Sequence, residues 1–195
     1  MLKPQGYDNA QAFTEFESIE KGGHICIIKK IEETTSKSGK PMLKIYLDTD
    51  KSDRQPNFFT EKWKNDSREN KTWGCIHYIV TDGSEWSNKS FKTFNEAVQA
   101  SNGNFPIDWN NYTEQFKGKL VCGVFRIEQY ISDSDGEIKS PVKLYSFRTL
   151  QDFKNGKVKE PKDKLIDNSA SSSSTLEPPK FNDDIMPVDD GDIPF

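Results

Sequence analysis

Aromatic rings interleaved with lysine and arginine are the residues here whose types and spacing suggest a chemistry. Phe58, Phe59, Lys62, Trp63, Lys64, Arg68, Lys71 and Trp73 crowd into one segment. Lys44 and Tyr46 lie two apart just before it, and Lys37 and Lys40 flank Gly39. Arg126, Tyr130, Lys143, Tyr145 and Arg148 recur later. Flat rings stack on nucleobases, and cations pair with phosphates. Proteins that hold single strands without sequence preference combine the two, with about 1–3 kcal/mol for each stacked base. The expected contacts are Lys37, Lys40, Lys44, Tyr46, Phe59, Lys62, Trp63, Lys64, Arg68, Lys71, Trp73, Arg126, Tyr145 and Arg148. Trp63, between two lysines, is the first choice as a platform, because polar neighbours argue against burial on all sides. Phe91, Phe94, Phe125 and Phe147 are expected to pack inside.

A second chemistry lies at residues 189–195. Asp189, Asp190 and Asp192 precede an apolar Ile193-Pro194-Phe195. With an α-carboxylate after Phe195, this is an apolar knob beside a cluster of anions. A small apolar pocket rimmed by arginine or lysine would hold it through charge-assisted hydrogen bonds. These six residues are the expected partner-binding set.

Other chemistries find little support. His24 with Cys26, and Cys75 with His77, are i, i+2 pairs that share a strand face and could in principle meet as a Cys₂His₂ site. No C-x₂₋₄-C spacing accompanies them, so no metal is expected. The run from Asp133 to Glu137 lacks the first and twelfth ligands of an EF-hand loop. Ser38-Gly39-Lys40-Pro41 lacks the first glycine and the Ser/Thr of a phosphate-binding loop. No paired-carboxylate, HExxH or nucleophile-elbow pattern stands out, so no catalytic residue and no cofactor is expected.

The elements that must position the rings and cations read as β-rich. The run from His24 to Ile31 is rich in β-branched residues. The stretch from Ser36 to Pro41 reads as a hairpin turn, and the return run alternates: Leu43, Ile45 and Leu47 on one face, Lys44 and Tyr46 on the other. Residues 56–80 are left open between strand and helix, because their periodicity does not decide. Phe91, Phe94, Ala97 and Val98 recur at helical spacing, which predicts a short helix over 91–101 capped by Ser90. Leu120–Ile127 and Val142–Arg148 read as strands joined through an Asp135-Gly136 turn. A further short helix is expected around Ala12, Phe13 and Phe16. Strand, strand, uncertain strand, helix, strand, strand is the order of an OB-fold, a five-stranded Greek-key barrel. There the face of strands two and three and the 1–2 and 4–5 loops bind oligonucleotides or oligosaccharides. The fold class expected is mainly β: an OB-like barrel with a disordered acidic tail.

Charge divides the chain. Of 195 residues, 33% are hydrophobic and 30% charged, which is poor for a fully folded chain of this length. Residues 167–195 hold one base and seven acids, a net −6; the other 166 hold 26 bases and 24 acids, a net +2. A mildly basic body with an acidic tail fits nucleic-acid binding plus a separate interaction segment. Ser169-Ala170-Ser171-Ser172-Ser173-Ser174-Thr175 and Pro178-Pro179 cannot bury enough surface to offset their ordering entropy. The organisation expected is an OB-like domain over 1–166, a flexible linker over 167–188 and a tip over 189–195. Three widely spaced cysteines, no long apolar run and no signal-peptide core point to the cytoplasm and away from membranes.

The tip resembles that of bacterial single-stranded DNA-binding proteins, which usually ends Asp-Asp-Asp-Ile-Pro-Phe; here Gly191 interrupts the aspartates. The body does not resemble their usual domain. Thr34–Lys40 and Asn65–Cys75 instead resemble proteins from replication modules of phages and prophages of Gram-positive hosts, a likeness that covers about residues 1–165. Together the resemblances imply a protein that coats single-stranded DNA in a bacterial host cell. It would recruit replication and repair enzymes, such as helicases, exonucleases and recombination mediators, through the tip. An adaptor that carries the tip without binding DNA, and a strand-annealing recombination protein, are the alternatives. Oligomeric state, including a homo-oligomer, is left open.

Overall fold

The computed structural model describes Lys3 and residues 18–166. The helix expected around Ala12, Phe13 and Phe16, the linker and the tip all lie outside the described residues.

Two long strands open the fold. β1 (Gly22–Thr35) turns through Gly39 (φ 79°) into β2 (Pro41–Thr49), as its hairpin signals predict. Leu43, Ile45 and Leu47 are buried, and Lys44 and Tyr46 face out. A register shift between Ile28 and Lys30 leaves Lys29 as an extra residue. A bulge of this kind bends a strand, and β1 uses both halves. Residues 22–27 pair with β4 (Leu120–Ile127), while residues 26–35 pair with β2.

The open segment resolves into both alternatives. Residues 58–65 form helix α1 (Phe58–Asn65), and β3 (Ile76–Val80) pairs with β2. The cap of α1 comes from elsewhere in the chain. Buried Asp48, at the end of β2, accepts the Phe59 N–H at 2.9 Å and the hydroxyl of Thr60, and Thr49 Oγ1 accepts the Phe58 N–H at 2.8 Å. These satisfy backbone donors that a helix start leaves unpaired.

The next helix is longer than its apolar pattern. α2 (Glu85–Ser101) begins at Glu85 rather than Phe91, and its cap is Ser84 rather than Ser90. Asp82 accepts from the Ser84 N–H and the Ser87 hydroxyl, while Ser84 Oγ accepts from the Ser87 N–H. The first turns carry exposed Trp86, Asn88 and Lys89, so no core-facing stripe marks them. After α3 (Tyr112–Phe116) and β4, a small hairpin of β5 (Tyr130–Ile131) and β6 (Ile138–Lys139) precedes β7 (Val142–Arg148) and α4 (Leu150–Lys154).

The five main strands pair in the order β3-β2-β1-β4-β7. The first four thus stand in Greek-key order. With α2 between the third and fourth of them, the architecture is the five-stranded OB-like barrel expected. The barrel is nearly closed. β3 and β7 are its two edges; α2 packs against both and against β4, and the His77 ring meets the Phe147 ring edge-on at 5.0 Å across the gap. Phe94, Phe116, Phe125, Ile28, Ile45 and Leu47 fill the interior. A Cβ at position 123 would lie 2.8 Å from Cys26 Sγ, so only glycine lets these two strands approach there.

His77 makes stability depend on pH. Burial pushes its imidazole down to about 4 from an ordinary 6.5. Between those values the unfolded chain takes up a proton that the folded chain refuses, so this contribution is complete above about pH 6.5 and is lost as pH falls through 4. Urea melts across that window should show stability falling with acid, by up to about one proton's slope, and His77→Phe should flatten the profile. An unchanged profile in the variant would refute the assignment.

Candidate nucleic-acid interface

The expected contact residues divide into three exposed groups, two anchored residues and a hairpin tip. The first group belongs to α1. Its buried side sends Phe59 into the barrel, where only 5% of the residue is exposed and its ring stacks on Phe125 at 6.2 Å. Phe59 is therefore a core residue, which corrects its expected role: neither face of its ring is open to a base. The outer side of the helix presents Trp63, 40% exposed, with Lys71 Nζ 4.0 Å from its ring centroid. Lys62 lies 5.8 Å from the half-buried Phe58 ring. Lys64 pairs with Glu61, and Arg68 grips Asp66 with two nitrogens. Trp73 is anchored and half-buried. Its indole N–H donates to the Leu47 carbonyl at 2.6 Å, and its ring packs on the core.

The second group lies on the outer face of β1, β2 and β3. Register sets Lys44 between Glu32 and Tyr78, and Tyr46 between Lys30 and Ile76. Lys44 and Lys30 lie 5.1 and 5.9 Å from the Tyr46 ring centroid. The Tyr46 hydroxyl donates to Glu32 at 2.6 Å. Burial first, then that bond, push the phenol up to about 12, so it stays a neutral donor. Lys30 and Tyr78 escaped the sequence reading, because only the cross-strand register puts them beside Lys44 and Tyr46.

The third group straddles β4 and β7. A register shift between Val124 and Phe125 leaves Tyr145 as the extra residue of β7. Tyr145 is 43% exposed, with the Arg126 guanidinium 3.9 Å from its ring centroid. Glu128 holds the same guanidinium at 2.8–2.9 Å. Lys143 stands opposite Arg126 in register and lies 5.3 Å from the ring of exposed Tyr130. Arg148, exposed at the end of β7, donates to the Phe147 carbonyl. On the β1–β2 hairpin, Lys40 pairs with Asp82 at 3.0 Å, and Lys37 is exposed.

Register brings the first and third groups to one end of the barrel. β2 ends at Thr49, opposite Cys26, and leads into α1; β4 ends just past Phe125, opposite Gly22. The Phe59–Phe125 contact ties the two. Trp63, Tyr130 and Tyr145 thus each combine an open ring with a cation, at about 0.5–1 kcal/mol for an exposed pair. Exposed ion pairs such as Lys64–Glu61 contribute about 0–1 kcal/mol, so their cations exchange carboxylate for phosphate at small cost.

The histidines and cysteines have structural partners. His24 Nδ1 lies 2.8 Å from Asp53 Oδ1 in full burial, and His77 meets Phe147. Cys26, Cys75 and Cys122 are free and buried, and burial pushes all three thiols up. Among the described residues no three His, Cys, Asp or Glu side chains gather as metal ligands, and no helix is long and apolar enough to cross a membrane.

No curated protein matches this chain. A family model described as a protein of unknown function, DUF669, matches residues 5–125, which take in β1 through β3, α2 and most of β4. Since the match spans more than half of the sequence, the chain belongs to the DUF669 family.

Proposed function

We propose that this chain binds single-stranded DNA through its OB-like barrel, in phage-type replication or recombination, and recruits replication and repair proteins through Asp189–Phe195. One observation carries the reading: three exposed rings, Trp63, Tyr130 and Tyr145, each have a cation over the ring. Such a set stacks bases and neutralises phosphates without reading sequence. The tip's role rests on its residues alone. Apolar Ile193-Pro194-Phe195 beside three aspartates suits a basic-rimmed socket on a partner.

The test is fluorescence anisotropy with labelled oligo-dT, on the full chain and on a chain lacking residues 167–195. Both should bind below micromolar Kd at low salt. Log K should fall linearly with log salt, by about 0.7 for each phosphate neutralised. Absence of binding by both forms would leave the adaptor reading. Removal of Phe195 alone should abolish partner capture with DNA affinity unchanged; a loss of DNA affinity there would contradict the division of labour. Faster pairing of complementary strands in an annealing assay would favour the recombination reading.

A further inference from the structure

We propose that Lys30, Lys44 and the Tyr46 hydroxyl form a phosphate subsite of the single-strand path, and that the carboxylate of Glu32 occupies it in the free protein. The inference rests on the DNA-binding reading above and names a residue that tunes it.

Glu32 sits on the outer face of β1, directly across from Lys44. Its carboxylate accepts from Lys30 Nζ at 2.5 Å and from the Tyr46 hydroxyl at 2.6 Å. Lys30 and Lys44 both lie within 6 Å of the Tyr46 ring centroid. One ammonium group and one phenol O–H therefore hold a single anion, and a second ammonium group stands across from it in register beside the same ring. A backbone phosphodiester is also a monoanion with two free oxygens that accept from the same kinds of donor. Beside this cluster lies a shallow depression of about 510 Å³, lined by Ile31, Glu32, Glu33, Thr34, Lys44 and Thr113.

Lys30 first, then the Tyr46 hydroxyl, hold the Glu32 carboxyl below the usual carboxylate range. It is thus an anion at every physiological pH and has to be displaced rather than protonated. Its side chain is 36% exposed and can rotate into water. A ligand that offers only phosphate gains little by the exchange, since it replaces one anion by another. A ligand that also lays a base near the Tyr46 ring gains the stacking as well. Glu32 therefore lowers affinity for bare polyanions more than for a single strand, and gives selectivity through a repulsive element.

The test uses the full chain, labelled oligo-dT and Glu32→Gln, which keeps the shape and an acceptor for Tyr46 but removes the charge. Affinity should rise about three- to tenfold at low salt. The salt slope should steepen by about 0.7, one further phosphate. Inorganic polyphosphate, used as a competitor, should displace oligo-dT more effectively from the variant than from the native chain. Glu96→Gln, the same charge change on α2, should stay within about twofold of native. Equal or weaker binding by Glu32→Gln, or an equal rise in both variants, overturns the subsite and leaves DNA binding standing. No binding by either the native chain or Glu32→Gln overturns both.

Discussion

Replacing Trp63, Tyr130 and Tyr145 together by alanine should weaken oligo-dT binding by about a hundredfold or more. Each ring is exposed and carries its own cation, Lys71, Lys143 and Arg126. Loss of one stacked base costs about 1–3 kcal/mol, and tenfold in affinity corresponds to about 1.4 kcal/mol. Three losses that add in the manner of independent sites reach at least about 3 kcal/mol. The rings are surface residues, so thermal melting should change little while anisotropy titrations shift far to the right. Phe59→Leu is the contrasting variant: it should lower stability, because its ring packs on Phe125, and leave affinity near native. A triple variant that folds and binds within about tenfold of native would remove the aromatic account of the site.

Asp53→Ala should cost about 3–5 kcal/mol of unfolding free energy, the toll expected when one partner of a buried pair is removed. The Asp53 carboxylate lies 2.8 Å from His24 Nδ1 and accepts the backbone N–H groups of Ile25 at 2.7 Å and Gln55 at 2.9 Å. Burial alone would raise its carboxyl; the bonds from His24, Gln55 and Ile25 outweigh that and leave it below its ordinary value. Alanine strands Nδ1 of the fully buried His24 and the N–H groups of Ile25 and Gln55. Total stability of a domain this size is about 5–15 kcal/mol, so urea denaturation should show the midpoint far lower or the fold lost. Asp53→Asn, which keeps the volume and one acceptor, should fall between. A change below about 1 kcal/mol for alanine would mean that the cluster does not hold the start of β1.

The sequence reads well where one strand carries its own pattern. Leu43, Ile45 and Leu47 alternate with Lys44 and Tyr46, so β2 and its wet face are legible without coordinates. β1, β4 and β7 are legible for the same reason, whereas the Asp135-Gly136 turn closes the short β5–β6 hairpin instead of joining β4 directly to β7. The chain reads poorly where a residue far along it supplies the determinant. α1 is capped by Asp48 and Thr49 of β2, not by Asn57 before it, so no local signal announces a helix. The early turns of α2 extend past the apolar stripe on a Ser84–Asp82 cap. Phe58 and Phe59 are neighbours of one type, yet the helix turn sends one partly outward and the other into the core.

The functional reading divides along the same line. Composition and order alone determined that the body is β-rich and mildly basic, that aromatics and cations intermingle, and that an acidic tip ends in Ile-Pro-Phe. These are properties of residue type and short-range period, which survive without contacts. Which rings stay open was decided by tertiary structure. Trp63 remains exposed while Trp73 is tied to Leu47. Tyr145 faces out as the extra residue of a bulge, and Lys30 and Tyr78 join Lys44 and Tyr46 only through strand register. Burial and cross-strand pairing depend on residues distant in the chain, and a one-residue shift reverses the face of every side chain that follows.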